Sequence, residues 1–470
     1  MGNAKKENNN AKNTKNHKKC RSLPLMKRFI STIALALLAV SCTTQQAVDT
    51  TPQTFDYSGG PQAAGVDPQQ LTQMDTLLKA FVDDKKAASL AAFIAKDGKV
   101  VYANAFGWKD IENQIPASLN DYYVLFSQTK AITTVAFMTL VEKGLVDIND
   151  PVAKYFPEIS DQVLVKINDD GSYETRPVKT PMTFVHLMAH TSGLGAGLAG
   201  EARRKKSGSG TPLGFGSQQQ EIQPSGQHTG GGNYHAAYLE EEMLALAKYP
   251  LGFDPGAQWN YHISTNMLAY LIERISGQPL RDYVKQNVLQ PLGMDDTDWF
   301  YEADAFSRFV KPYSLVDGEL VAGSDVYSRG TVSAQQTYAE GAIGLNGPIE
   351  DYAKFCQMLL NKGTFNGHLI LKPETVELMT TINRLPPAGP DGDQLQFGLG
   401  FELYHDGKKP TPAVSNTAYA WGGMMGTDFI IDPENNMIAL FYLNMYQRDP
   451  LYPTFLGKAY EILKNQPEAP

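Results

Sequence analysis

The chain has 470 residues, 42% of them hydrophobic, with a formal charge of −9, enough apolar sequence for one large domain or two smaller ones. The acidic balance is unsuited to nucleic acid or to an anionic membrane surface. Three cysteines, with no cysteine–histidine cluster at metal-ligand spacing, argue against a disulfide scaffold and a zinc enzyme. Residues 1–25 are rich in Asn and Lys and read as disordered. Met26-Lys27-Arg28 then precedes the apolar stretch Phe29 to Val40 and the pair Ser41-Cys42, the layout of an export signal over residues 1–41, with Met26 a second candidate start. The apolar stretch is too short to stay in a bilayer as a spanning helix. Removal of residues 1–41 takes away nine basic residues and one acid and leaves a formal charge of −17. Residues 42–66 are rich in Thr, Gln, Pro and Gly and read as a tether.

A domain is expected over residues 67–465. Asp67 to Val82 has helical periodicity after an Asp-Pro start. Ser89–Ala95 and Val100–Phe106 read as strands joined by an Asp97-Gly98 hairpin turn. Ser127-Gln128-Thr129-Lys130 then opens a run that is apolar at helical spacing and ends at Gly144. Residues 145–360 read mostly as helix and loop, with helices over Asn266–Ile275, Leu280–Leu289 and Asp351–Leu360, the last holding Cys356 as a buried small residue. Residues 196–235, with Arg203-Arg204-Lys205-Lys206 and Gly230-Gly231-Gly232, read as a flexible insertion, either solvated or a lid. Strands return at Phe397–Leu403, Ala418–Trp421, Thr427–Ile431 and Ile438–Leu443, before a final helix containing Tyr460–Lys464. Strands at both ends with helices between predict an α+β fold: one antiparallel sheet formed by both termini, with flanking helices and a helical subdomain.

In the tetrad, Ser127 and Lys130 lie one turn apart on one helix face, at an N-terminus that supplies positive potential and free N–H groups. That suits a nucleophilic hydroxyl, but such a tetrad also arises by chance in a chain this long. Five further blocks follow in order. They are His186-Leu187-Met188-Ala189-His190-Thr191-Ser192-Gly193-Leu194; Asp254-Pro255-Gly256 with Tyr261; Gln290-Pro291-Leu292-Gly293-Met294; Gly344-Leu345; and Trp421-Gly422-Gly423-Met424-Met425-Gly426-Thr427. Together the six resemble the serine β-lactamase-like superfamily of class C β-lactamases, D,D-peptidases and family VIII carboxylesterases. Leu38-Ala39-Val40-Ser41-Cys42 resembles a lipobox, with Ala39 where a bulkier aliphatic residue is usual, which implies lipidation of Cys42.

The resemblance implies a β-lactamase/transpeptidase-like fold, with Ser127 as nucleophile, Lys130 as base and Tyr261 as proton-transfer partner. It also implies an oxyanion hole from the N–H groups of Ser127 and Met424. Tyr102-Ala103-Asn104 spells the class C Tyr-x-Asn motif but precedes Ser127 and reads as strand packing; His190 reads as structural. Two departures bear on substrate. Ile263 stands where class C members carry Asn, and Trp421-Gly422-Gly423 stands where Lys-Thr-Gly would bind a substrate carboxylate. The expected protein is an exported, lipid-anchored serine hydrolase of small-molecule esters or amides, on the periplasmic or outer face of a bacterial envelope. It needs no cofactor, and its membrane contact is through the lipid alone. The alternatives are a weak β-lactamase or D,D-peptidase-like enzyme, and a non-catalytic binding or sensor lipoprotein.

Overall fold

Asp67 opens the first helix, α1 (Pro68–Asp83), by accepting the Gln69 N–H at 2.9 Å, with proline at the first helical position. The computed structural model describes residues 55–464 apart from 171, 197–238, 262, 324–332, 335–336, 388–394, 406–408 and 446–449. The signal region, Cys42 and nearly all of the expected insertion therefore lie outside the described residues. The expected tether does not extend to residue 66. Phe55 is buried, its ring 5.0 Å from that of Phe93 and 5.4 Å from that of Phe365, and Val66 is buried too. The folded chain includes this segment because two apolar side chains have core partners.

β1 (Ser89–Lys96) and β2 (Lys99–Asp110) turn at Asp97 and Gly98, whose φ angles of 52° and 72° are those of a two-residue hairpin. β3 (Ile115–Pro116) continues the meander. The C-terminal strands are β4 (Gln396–Phe397), β5 (Glu402–Leu403), β6 (Tyr419–Gly423), β7 (Thr427–Asp432) and β8 (Met437–Tyr442). One eight-stranded sheet joins them in the order β4-β5-β6-β7-β8-β1-β2-β3, and every pairing is antiparallel. The seam between the two ends of the chain is β1 against β8, from Ala91 opposite Tyr442 to Lys96 opposite Met437.

β1 is buried on both faces. Ala91, Phe93 and Ala95 point to one core cluster and Leu90, Ala92 and Ile94 to the other. α1 and the last helix, α5 (Leu451–Lys464), cover the second face with Met74, Leu78, Phe455 and Leu456. α2 (Thr129–Glu142) and α4 (Ile349–Leu360) cover the first, backed by α3 (Ser264–Ser276). Thr129 to Leu140 are all buried in α2, as an all-round apolar helix requires. Two of its threonines donate to carbonyls, Thr134 to that of Lys130 at 2.8 Å and Thr139 to that of Ala136 at 2.7 Å.

Three readings of the sequence are corrected. Phe397–Leu403 is not one strand but a tight hairpin, because Gly400 turns at φ 89° and the Gly398 N–H returns to the Phe401 carbonyl at 2.8 Å. Leu280–Leu289 begins as an α-helix and widens to a π turn over Lys285–Leu289. The middle of the chain also holds two hairpins, Gln162–Ile167 with Tyr173–Pro177 and Tyr313–Val316 with Glu319–Ala322.

Candidate active site

Ser127 sits in a single 3₁₀ turn, Phe126–Gln128, that feeds directly into α2. The residue before it, Phe126, has φ 46°, a left-handed conformation that costs a side-chain-bearing residue about 1 kcal/mol or more. Neighbouring elements hold the turn in place. The Tyr442 hydroxyl of β8 donates to the Gln128 side chain at 2.7 Å and the Tyr352 hydroxyl of α4 to its carbonyl at 2.9 Å. Leu345 grips both flanks, accepting from the Leu125 N–H at 3.0 Å and donating to the Thr129 hydroxyl at 3.1 Å.

Lys130 is 1% exposed. Its Nζ donates to the Ser127 Oγ at 3.1 Å and to the Ala342 carbonyl at 2.9 Å, and lies 4.6 Å from the centre of the Tyr261 ring. Burial removes the water that would stabilise the ammonium and brings the side chain down to about 7, against the opposing pull of the Glu340 charge. A lysine poised there can take a proton from a hydroxyl near neutral pH.

Tyr261 reaches the pair from a loop tied to the histidine block. The Arg176 guanidinium forks onto Asp254 at 2.9 and 2.7 Å, the Gly256 N–H donates to the Thr191 carbonyl at 2.8 Å, and the Asn260 N–H to the His190 carbonyl at 2.7 Å. Gly256 turns at φ 86°, and a Cβ there would lie 3.1 Å from the His186 ring. The Tyr261 hydroxyl hydrogen-bonds with Ser127 and accepts the Trp421 indole N–H at 2.9 Å. Burial raises the phenol well above its ordinary value, more than these two contacts lower it, so the proton stays on at neutral pH.

The end of β6 closes against the Ser127 turn. A Cβ on Gly423 would stand 2.4 Å from the Leu125 carbonyl oxygen, so only glycine allows the approach, and Met424 follows directly. Met424 packs with Phe126, Val124 and Met425. Gly422 lies under the Asp428 carboxylate, where a Cβ would be 2.0 Å from an oxygen. Ile263 is buried in the large core cluster at the start of α3. Of the two lysines just before β6, Lys409 donates to the Val414 carbonyl at 2.9 Å and to Asn416, while Lys408 lies outside the described residues.

His190 packs its ring 4.7 Å from that of Tyr261 at φ 58°, and its Nδ1 has no hydrogen-bond partner among the described residues. Burial and the Lys130 charge hold the imidazole well below its ordinary value, hence neutral. Tyr102 is on the other side of the sheet, donating to Asp75 of α1 at 2.7 Å. Sequence reasoning missed the aromatic wall. The Trp259 ring lies 5.7 Å from Tyr261, and the Phe397 ring 5.0 Å from Trp421. The one available signal was Trp259 two residues before Tyr261. Glu340, whose charge acts on Lys130, was missed as well.

This arrangement can activate a hydroxyl for acyl transfer: an oxygen nucleophile, an amine able to be neutral, and a protonated phenol as donor. Residues 74–454 match the family profile described as Beta-lactamase. The esterase EstB of Burkholderia gladioli is 27% identical over 404 residues, covering 82% of this chain and 93% of the esterase. An Escherichia coli K12 protein provisionally assigned as a D-alanyl-D-alanine carboxypeptidase is 25% identical over 458 residues, covering 89% of this chain and 91% of its own. The solved structure of the simvastatin synthase LovD from Aspergillus terreus superposes with a TM-score of 0.67 at 24% identity, covering 85% of this chain and 99% of the synthase, a likeness of fold. The antiparallel sheet, its flanking helices and the profile over most of the sequence agree: this chain belongs to the Beta-lactamase family and has the β-lactamase/transpeptidase-like fold.

Proposed function

We propose that the protein is a serine hydrolase that works through an acyl-enzyme on small uncharged esters. The observation that carries this is the buried Lys130, 3.1 Å from the Ser127 hydroxyl and brought close to neutrality by desolvation. Ser127 Oγ attacks the substrate carbonyl as Lys130 takes its proton. The N–H groups of Ser127 and Met424 receive the developing oxyanion. Tyr261 gives its proton to the leaving oxygen and is recharged from Lys130; water then repeats the sequence to release the acid. Trp421 and the two glycines present an indole and open backbone where Lys-Thr-Gly relatives have an ammonium, which disfavours substrates that need a carboxylate anchor. Similarity to EstB supports the same reading.

The test is turnover of short-chain p-nitrophenyl esters, nitrocefin and a D-Ala-D-Ala peptide by wild type and Ser127→Ala. Ester cleavage lost in the variant is expected. Failure of any ester to turn over, together with failure of a serine-directed phosphonate to label Ser127, would end the proposal. Nitrocefin turnover faster than that of every ester would favour a β-lactamase instead. We also assign residues 1–41 as an export signal and Cys42 as the lipidated N-terminus of a periplasmic or outer-face protein, on the Phe29–Val40 stretch and the Ser41-Cys42 pair. Mass spectrometry of the mature chain tests it: an unmodified N-terminus rejects the lipid.

A further inference from the structure

Lys130 must present its lone pair to Ser127, so its N–H groups need fixed acceptors elsewhere. One is the Ala342 carbonyl at 2.9 Å. The segment bearing it, Glu340-Gly341-Ala342, is wedged between α2 and α3. The Thr133 hydroxyl of α2 donates to the Gly341 carbonyl at 2.7 Å, and the Ala342 N–H donates to the Asn266 side chain of α3 at 2.9 Å. Gly341 has no room for a side chain, since a Cβ would lie 2.2 Å from that of Ala269. Asn266 in turn donates to the Glu340 carboxylate at 3.2 Å. A polar chain thus runs Lys130, Ala342, Asn266, Glu340, entirely buried.

Glu340 is 3% exposed, and it has a second buried acid for a neighbour, Glu242, which accepts from the Tyr338 hydroxyl. Burying two carboxylates together costs several kcal/mol unless a proton is shared or a cation is near. A cation acting on Glu340 is Lys130. Among the described residues, the groups acting on Lys130 include Ser127 on its own helix, Tyr261 and His190 from the loops, and Glu340; those acting on Glu340 include Glu242, Tyr338, Asn266 and Lys130.

We infer that Glu340 is a positioning residue for Lys130: through Asn266 it fixes the carbonyl that receives the amine, and its carboxyl is the acid partner of that buried amine. Burial and Glu242 push Glu340 up to about 8, while Lys130 comes down to about 7. Both shifts favour the neutral pair over the charged one. The neutral pair is the form in which Lys130 can deprotonate Ser127.

The inference rests on the proposed hydrolase activity for its kinetic readout and makes two predictions of opposite sign. Glu340→Gln keeps an acceptor for Asn266 and removes the carboxylate fraction that raises Lys130, so the acid limb of kcat/KM against pH moves down. Glu242→Gln lets Glu340 ionise more readily, so the same limb moves up. A structural role alone would lower Tm and leave both limbs in place, and that result overturns the inference. An independent thermal cycle of Lys130→Met, Glu340→Gln and the double variant of the full chain needs no turnover. Coupling is expected as non-additive Tm changes, and additivity within about a degree also overturns the inference. A wild type without ester turnover or Ser127 labelling ends the proposed function instead, and the cycle still decides whether the pair is coupled.

Discussion

The indole N–H of Trp421 donates to the hydroxyl of Tyr261 at 2.9 Å, joining the end of β6 to a loop 160 residues earlier. The bond fixes the phenol oxygen and leaves its own proton for Ser127 or a leaving group. Trp421→Phe keeps a ring against Phe397 and removes the donor. A lost hydrogen bond of about 1 kcal/mol implies a fall of roughly five- to tenfold in kcat, with KM for a small ester little changed. Unchanged kcat in steady-state assays would make Trp421 a packing residue only.

Lys130 acts as a base only when neutral, and it gains a proton as pH falls through about 7. Ester turnover should therefore be full above neutrality and fall tenfold per unit below it. Lys130→Arg should be inactive across the whole range, because a guanidinium cannot deprotonate. A pH–rate profile from pH 5 to 9 on both proteins checks this, and a flat acid side in wild type would contradict it.

Tyr261 is raised by burial, so its proton is present throughout the neutral range and its removal should not shape the profile below pH 10. Tyr261→Phe should lower kcat by 10²–10⁴-fold while a phosphonate probe still labels Ser127 slowly. Stopped-flow ester assays beside probe labelling separate the two steps.

Gly423 faces the Leu125 carbonyl and the Thr427 hydroxyl, at 2.4 and 2.1 Å from where a Cβ would be. Gly423→Ala should force β6 away from the Ser127 turn, with a loss of about 1–3 kcal/mol of stability and a larger proportional loss of activity. Calorimetry and ester assays on the same sample report both.

Asp432 is fully buried at the end of β7 and accepts from Ser415 at 2.6 Å, Tyr460 at 2.6 Å and the Asn435 side chain at 2.9 Å. Burial alone would raise its carboxyl, but these donors outweigh it and hold it below the ordinary value. A carboxylate depressed in the fold stabilises above its unfolded value near pH 4 and loses that contribution as pH falls through its folded value. Asp432→Asn should cost about 2 kcal/mol at pH 7 and flatten the fall of Tm between pH 5 and 3. A Tm–pH slope equal to wild type would refute it.

The features legible in the sequence were those with local causes. Asp67 before Pro68, the Asp97-Gly98 turn and the unbroken apolar run after Lys130 each act within a few residues, and α1, the β1–β2 hairpin and α2 follow from them. The split of Phe397–Leu403 was written in Gly398 and Gly400 but masked by the apolar residues between them. What could not be read was distant pairing. No spacing rule brings Trp421 to Tyr261, or Tyr442 to Gln128 across 314 residues. Glu340 lay in a stretch whose only signal was Gly344-Leu345 downstream.

The seam between β1 and β8 has a consequence for how the chain is made. Ala91 and Tyr442 are roughly 350 residues apart, so the central strand of the sheet leaves the ribosome long before the partner on one of its edges exists. Until that partner arrives, Ser89–Lys96 is an apolar strand with one row of amide groups unpaired. Such high contact order makes folding slow and leaves the unfinished chain prone to aggregation. The sheet is thus complete only once Met437–Tyr442 has emerged, and loss of that strand would open the middle of the sheet rather than trim its rim.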